Sequence, residues 1–182
     1  MAIIRANKSE AARRQIDTAI RMLFRNEDPV AIHTLAMASF RVLRDLASKR
    51  DDCYLDKTLK LFIKPGMEVK FWNKFNRSAN FLKHADKDPD DILDNIEKEV
   101  NELILFMSSL YYQDLGFQLT TEMTVLVAWC LALNPDFLQD NAPEALKRPL
   151  KSDLSYLRQR PRSEQLEVGW KLINMARNLT TR

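Results

Sequence analysis

Residues 9–47 read SEAARRQIDTAIRMLFRNEDPVAIHTLAMASFRVLRDLA, and this stretch decides the fold. Apolar side chains recur at helical spacing on both sides of the Asp28-Pro29 pair. We expect Ser9 to cap the first helix, which stops near Asn26. Asp28 then caps a second helix whose first position is Pro29, where the missing N–H is tolerated. Two amphipathic helices with so short a connection predict an antiparallel hairpin.

The rest of the chain continues this helical pattern. Only three glycines occur, few for a sheet protein with its turns and bulges, and no segment alternates as a strand does. The sequence therefore predicts an all-α fold, a single-domain up-and-down helical bundle of about six to eight helices with no sheet. Its predicted parts, within one domain spanning 1–182, are an N-terminal helical hairpin at 9–48, a motif helix pair at 67–116 and C-terminal helices at 120–180.

Local signals bound the later helices. Thr120 or Thr121 starts a nearly uniformly apolar helix that ends before Asn134, and Ser163 is predicted to cap the last helix. Four prolines break residues 135–162 into short helical pieces. The helix between Pro89 and Gly116 is expected to be the longest. It should face the core with a stripe of apolar residues, namely Ile92, Ile96, Val100, Leu103, Met107, Leu110 and Tyr111.

Composition excludes several protein classes. The N-terminus has no uninterrupted apolar segment of the kind a signal peptide needs, because Arg5 and Lys8 follow Ile3-Ile4 at once. The longest apolar run, residues 125–133, is about half of the roughly 20 residues that cross a bilayer. Cys53 and Cys130 lack CxxC spacing, so no disulfide framework is indicated. We expect a cytoplasmic protein without a membrane partner.

Charge is unevenly distributed along the chain. Residues 1–84 carry 17 Lys and Arg against 9 Asp and Glu, whereas residues 85–116 carry 2 against 9. Such an asymmetry fits a dipolar surface with an anionic ligand at its basic end, or charges spread around helix surfaces. Residues 147–162 add six cations and Tyr156 with one acid, Asp153. This basic cluster fits either contacts to phosphates and bases or a solvated surface loop.

Common metal and cofactor sites are not supported. The sequence contains no Glu-x-x-His pair, HExxH, phosphate-binding loop or dinucleotide fingerprint, and it has only two histidines. The acids from Asp86 to Glu97 follow the ligand spacing of an EF-hand in part, but Asp91 stands where that loop requires glycine. We therefore expect helix capping there, with no metal and no cofactor.

Residues 73–84 hold the strongest candidate for chemistry. Asn73, Arg77, Asn80 and His84 are spaced four, three and four apart, so a helix places them on one polar stripe. His84 suits general acid–base catalysis near neutral pH, and Arg77 suits binding of a phosphate or of charge developing on it. Asn80 is positioned to orient the imidazole or a substrate hydroxyl. We predict Arg77, His84 and Asn80 as catalytic residues.

Further polar residues flank this stripe. Asn73 and Lys83, together with Asp86 and Asp88, are predicted binding residues, and either aspartate is suited to fix the tautomer of His84. Together the set fits metal-free RNA cleavage, in which a 2′-hydroxyl attacks the adjacent phosphate. The alternative is structural: His84 and the aspartates end the helix, and the stripe packs against another helix.

Residues outside this segment give two further expectations. His33 lies beside the apolar stripe of the second helix, where a histidine is usually packed with one hydrogen bond, although a catalytic or ligand role stays open. Trp72, Phe81 and Tyr112 lie off the apolar faces of their helices, which predicts an aromatic homodimer interface.

The segment Asn80-Phe81-Leu82-Lys83-His84-Ala85-Asp86-Lys87-Asp88-Pro89 resembles the N-F-[FL]-K-H-A-D-[RK]-D-P signature of an uncharacterised bacterial all-helical family. The hairpin from Gln15 to Leu46 is similar to the same family, so the resemblance covers most of residues 10–90. More loosely, the layout resembles the HEPN superfamily, whose members have an N-terminal helical hairpin and an Arg followed by His after four to six residues.

The HEPN resemblance implies a dimeric ribonuclease of a toxin–antitoxin or defence system. Arg77 and His84, with six residues between them, meet the spacing at its long limit, while Ser78 is a weak substitute for the usual polar residue after Arg. We therefore expect an RNA-binding, HEPN-like homodimer that cleaves RNA without metal and has an antitoxin-like protein partner. The alternative is a non-catalytic helical module for dimerisation or protein interaction.

Overall fold

The computed structural model describes residues 4–50, 81, 90, 92, 98–134 and 153–180 of the 182-residue chain. Every regular element in this part is helical, which confirms the predicted all-α class. The elements are α1 (Lys8–Phe24), α2 (Pro29–Ala47), α3 (Lys98–Asp114), α4 (Thr121–Leu133), a 3-10 helix (Asp153–Gln159) and α5 (Arg162–Thr180). The predicted count of helices included segments outside the described residues.

Helices α1 and α2 form the predicted pair, bounded by side-chain caps. Asp28 Oδ1 accepts hydrogen bonds from the backbone N–H groups of Val30 and Ala31, both at 2.9 Å, and Pro29 holds the first helical position. The prediction of Ser9 as the first cap was wrong. Asn7 caps α1, because its Oδ1 accepts from the Glu10 N–H at 2.8 Å.

The core lies where α3 packs against α1, α2 and α4. Because α3 is covered from several sides, its buried face differs from the predicted stripe. Leu103 and Ile92 are exposed rather than buried, whereas Ile104 and Leu105 are fully inaccessible to solvent. The predicted stripe assumes that the helix buries one face, whereas a helix with three neighbours buries more than one face.

Helix α4 matches its predicted bounds. Thr120 caps it by accepting from the Met123 N–H at 3.2 Å, and Asn134 forms its C-cap. As expected for a nearly uniformly apolar helix, most of its residues are buried, including Trp129, which is the largest fully buried side chain of the described residues. Trp129 meets the ring of Phe24 edge-on at 5.3 Å between centroids.

Helix α5 begins one residue earlier than its predicted cap, Ser163. The Gln165 N–H donates to the Pro161 carbonyl at 3.1 Å, which makes Pro161 the cap position. Helix α5 packs on α4 and α1. Its close approach to α1 occurs at Gly169, where an added Cβ would lie 2.2 Å from Phe24 Cε1. None of the described helices is both long and apolar enough to cross a membrane.

Replacement of Gly169 by alanine tests this close approach. Alanine favours a helix interior over glycine by about 1 kcal/mol, yet the buried Phe24 ring cannot make way without disturbing Trp129. We expect Gly169→Ala to destabilise the protein by about 1–3 kcal/mol in urea unfolding.

The double variant Phe24→Leu/Gly169→Ala should lose less stability than the two single changes added together, because leucine leaves room for the methyl group. Asn178→Ala, at an exposed position of the same helix, is the propensity control and should be neutral or stabilising. A stabilised Gly169→Ala protein would contradict the contact.

Candidate functional site

The residues predicted to carry the chemistry lie outside the described residues. These are the catalytic candidates Arg77, Asn80 and His84 and the binding candidates Asn73, Lys83, Asp86 and Asp88. Within that segment, Phe81 is helical and half-buried. The polar stripe therefore stays a prediction, and the described residues contribute three other polar arrangements.

The first arrangement is a buried pair between α2 and α3. The His33 side chain is only 2% exposed, and its Nδ1 lies 2.7 Å from Asn101 Oδ1. Asn101 Nδ2 donates to the Pro29 carbonyl at 3.0 Å, which fixes the amide so that its oxygen faces the imidazole. His33 therefore carries its proton on Nδ1 and donates it to Asn101. This confirms the expectation of a packed histidine with one hydrogen bond.

The other imidazole nitrogen of His33, Nε2, carries no proton and can only accept a hydrogen bond. Among the described residues, no hydrogen-bond donor reaches the buried Nε2. Burial lowers the pKa of His33 below its ordinary 6.5, although the hydrogen bond with Asn101 opposes this. The unfolded chain thus takes up a proton first as the pH falls, so the stability that His33 contributes declines below about pH 6.5. The neutral ring can accept a hydrogen bond but is covered by the protein.

The second arrangement is a set of charges that ties α1, α4 and α5 together. On α1, the buried Asp17 accepts from Thr120 Oγ1 at 2.6 Å and pairs with Arg13 at 3.0 Å. Burial raises the pKa of Asp17, and the Thr120 hydrogen bond works against that rise. Because Thr120 also caps α4, this carboxylate links the start of α4 to α1.

Glu122 makes the corresponding link to α5. It accepts hydrogen bonds from Arg21 of α1, at 2.7 Å, and from Arg177 of α5. Burial alone would raise the pKa of Glu122, but Arg21, the backbone N–H of Glu122 itself and Arg177 together outweigh this effect and lower the pKa. Because its hydrogen bonds join α1 to the start of α4 and to α5, the cluster of Asp17 and Glu122 is best explained as a structural link between helices.

The third arrangement lies where the 3-10 helix meets α5. Tyr156 is 44% exposed, and the guanidinium of Arg160 lies 5.6 Å from the centre of its ring. Arg158 and Arg162 are also exposed, so the described part of the predicted basic cluster does lie at the surface. We call residues 156–162 the Tyr156–Arg162 corner.

Arg162 joins this corner to the core. Its guanidinium lies 4.8 Å from the centre of the Trp129 ring and pairs with Glu102 of α3. The pKa of Glu102 is raised to about 7, chiefly by burial. Arg162 opposes this rise, and the nearby carboxylate of Glu99 adds to it. Arg162 therefore links the exposed corner to α3 and α4.

Sequence reasoning missed Asn101 and Glu102 and placed Tyr112 wrongly. Tyr112 is buried and stacks on Phe117 at 4.8 Å between centroids, so it is not part of the predicted homodimer interface. The sequence signal that Asn101 is buried is its position three residues before Ile104, on the same face of the helix as that buried side chain. No group of three or more potential metal-ligating side chains occurs within the described ranges.

Comparison with known proteins gives no relative for this chain. No protein-family model, curated protein or solved structure matches it.

The buried pair gives a stability prediction. Asn101→Ala leaves the Nδ1–H of His33 and the Pro29 carbonyl without their partner, and we expect a loss of about 2–4 kcal/mol in urea unfolding. Ser108→Ala is the matched control: it is also buried on α3, but its hydroxyl donates to the Ile104 carbonyl, so its removal strands no donor. Equal losses in the two variants would contradict the proposed role of the Asn101 amide.

Proposed function

We propose that this chain is a HEPN-like cytoplasmic protein that binds RNA and cleaves it without metal, within a toxin or defence system. The observation that carries the proposal is the stripe of Asn73, Arg77, Asn80 and His84, an unusual set of amides and cations at helical spacing. The all-helical class and the N-terminal pair of α1 and α2 support it, since both agree with the layout that the HEPN resemblance implies.

The proposed reaction needs only side chains of the chain. His84 accepts the proton of the ribose 2′-hydroxyl, whose oxygen attacks the adjacent phosphorus and displaces the 5′-oxygen. The protonated imidazole then returns a proton to that leaving oxygen, which gives a 2′,3′-cyclic phosphate and a 5′-hydroxyl. Arg77 stabilises the charge that develops on the phosphate, and Asn80 orients the imidazole or the hydroxyl.

The remaining predicted residues assist binding. Lys83 and Asn73 contact the RNA backbone, while Asp86 or Asp88 holds the tautomer of His84. In this proposal two protomers associate, and an antitoxin-like protein partner restrains the activity.

Cleavage should depend on both predicted catalytic side chains. We expect His84→Ala and Arg77→Ala each to lower the cleavage rate by about 10²–10⁴ in the presence of a chelator, because general acid–base catalysis typically contributes that much. The assay is gel-resolved cleavage of single-stranded RNA, with Lys8→Ala at the exposed start of α1 as the control.

Melting curves of the same variants separate the two interpretations of the stripe. Retained helix content and melting temperature with lost cleavage support the catalytic assignment. Unfolding of both variants would make the stripe structural, and cleavage that persists in His84→Ala would exclude the mechanism.

The second candidate function is a non-catalytic dimerisation or protein-interaction module. The observation that favours it is an apolar stripe on α5, where Met175 is 63% and Leu179 is 77% exposed and Val168 and Leu172 on the same face are half-buried. The spacing of four, three and four residues is that of a coiled-coil seam. A second copy fits it, since antiparallel pairing sets Val168 opposite Leu179 and Leu172 opposite Met175.

Sedimentation velocity tests this dimer. At tens of micromolar, about the range of weak dimers, we expect the wild-type chain to be dimeric and Met175→Glu to be monomeric, because the change places a charge in the seam. Asn178→Glu adds the same charge beside the stripe and should leave the dimer intact. A monomeric wild-type protein, or a dimer insensitive to Met175→Glu, rejects α5 as the interface.

A further inference from the structure

The Tyr156–Arg162 corner has a fixed backbone beneath exposed side chains. Gln165 Nε2 donates to the carbonyls of Leu157 and Arg160, both at 3.0 Å, so one carboxamide spans the turn between the 3-10 helix and α5. The Gln165 backbone carbonyl in turn accepts from Trp129 Nε1 at 2.8 Å, and Leu157 is fully buried. The turn is thus anchored to the core from two sides.

The side chains that this turn presents are suited to a nucleotide. Tyr156 offers an exposed ring, and Arg158 and Arg160 are exposed within four residues of it. A stacking ring beside cations is the common arrangement in proteins that bind single strands, where bases stack on aromatic side chains and the backbone follows a basic groove. Rigid placement of such groups lowers the ordering cost of binding.

The ion pair of Arg160 does not oppose this use. Arg160 pairs with Glu164 at 3.3 Å, and the two side chains are 55% and 48% exposed. An exposed pair of this kind contributes only about 0–1 kcal/mol, so a phosphate can replace the carboxylate. Arg162 is different, because Glu102 and Trp129 hold it, and its role is to brace the turn.

We propose that the Tyr156–Arg162 corner binds a single-stranded segment of RNA, with one unpaired base stacked on Tyr156 and the neighbouring phosphates on Arg158 and Arg160. The inference rests on the proposed function, and it adds a contact surface distant in sequence from the predicted catalytic stripe. It also specifies the substrate class, since stacking on a side chain requires a base that is free of a duplex.

Fluorescence anisotropy with the full chain tests the corner, using a labelled single-stranded oligoadenylate of about 12 nucleotides. We expect Tyr156→Ala to weaken binding about 5- to 100-fold, in line with the loss of one base–aromatic stack, and Tyr156→Phe to bind as the wild type does. Arg160→Gln should weaken binding and reduce the salt dependence by about one phosphate contact. The same sequence as a duplex should bind at least about tenfold more weakly.

Arg14→Gln provides a matched control for charge. Arg14 is 47% exposed and forms an i,i+4 pair with Glu10, as Arg160 does with Glu164, but it lies on α1. If Arg14→Gln weakens binding as much as Arg160→Gln, net charge alone explains the effect and the corner is rejected. Because Tyr156 is exposed, Tyr156→Ala should melt within a few degrees of the wild type, which separates lost contact from lost fold.

The outcomes for the corner and for the proposed function differ. RNA binding that survives Tyr156→Ala and Arg160→Gln but is lost in Arg77→Ala overturns the corner and leaves the proposed function standing. A wild-type chain that neither binds nor cleaves RNA overturns the proposed function and the corner with it. Binding that is weakened at the corner while His84→Ala binds normally supports separate binding and cleavage residues.

Discussion

Helix α3 is packed against α1, α2 and α4, and the polar side chains that α3 itself buries, Asn101, Ser108 and Ser109, all form hydrogen bonds inside the protein. Ser108 and Ser109 do so locally, because each donates to the carbonyl one turn before it. Asn101 cannot do so. Its amide instead reaches across to α2, where it binds the Pro29 carbonyl and the His33 ring. These hydrogen bonds, together with apolar packing, determine how α2 and α3 align along each other.

The packing of α1, α4 and α5 depends on buried carboxylates and on one close helix contact. Asp17 and Glu122 are both buried, and their hydrogen bonds connect α1 with the start of α4 and with α5. Gly169 lets α5 approach Phe24 more closely than any side chain would allow. Together these contacts hold α5 against α1 and α4, and Gln165 and Trp129 connect the Tyr156–Arg162 corner to that arrangement.

Helix boundaries marked by a capping residue were predictable from the sequence. Which face of a helix is buried, and which residues it contacts, was less predictable. The sequence predicted helix starts at Asp28-Pro29 and at Thr120 or Thr121, because a cap acts within three residues of itself, and the structure selects Thr120 for the second. The predicted caps Ser9 and Ser163 were each wrong by two positions, because Asn7 and Pro161 occupy the cap positions. Tyr112 was assigned to a surface because its helix was treated as having one core face, while the fold gives α3 several.

The candidate chemistry divides in the same way. By itself the sequence determined the all-helical class, the pairing of the first two helices and the spacing of Arg77, Asn80 and His84, since each depends on residues close together in the chain. Only the tertiary structure decided that His33 is held by Asn101 and that Gln165 secures the corner beneath Tyr156. Both hydrogen bonds depend on which helices pack together. If Asn101 were exposed, its amide could bind water, but because it is buried, its hydrogen-bond partners must come from the protein, and His33 is one of them.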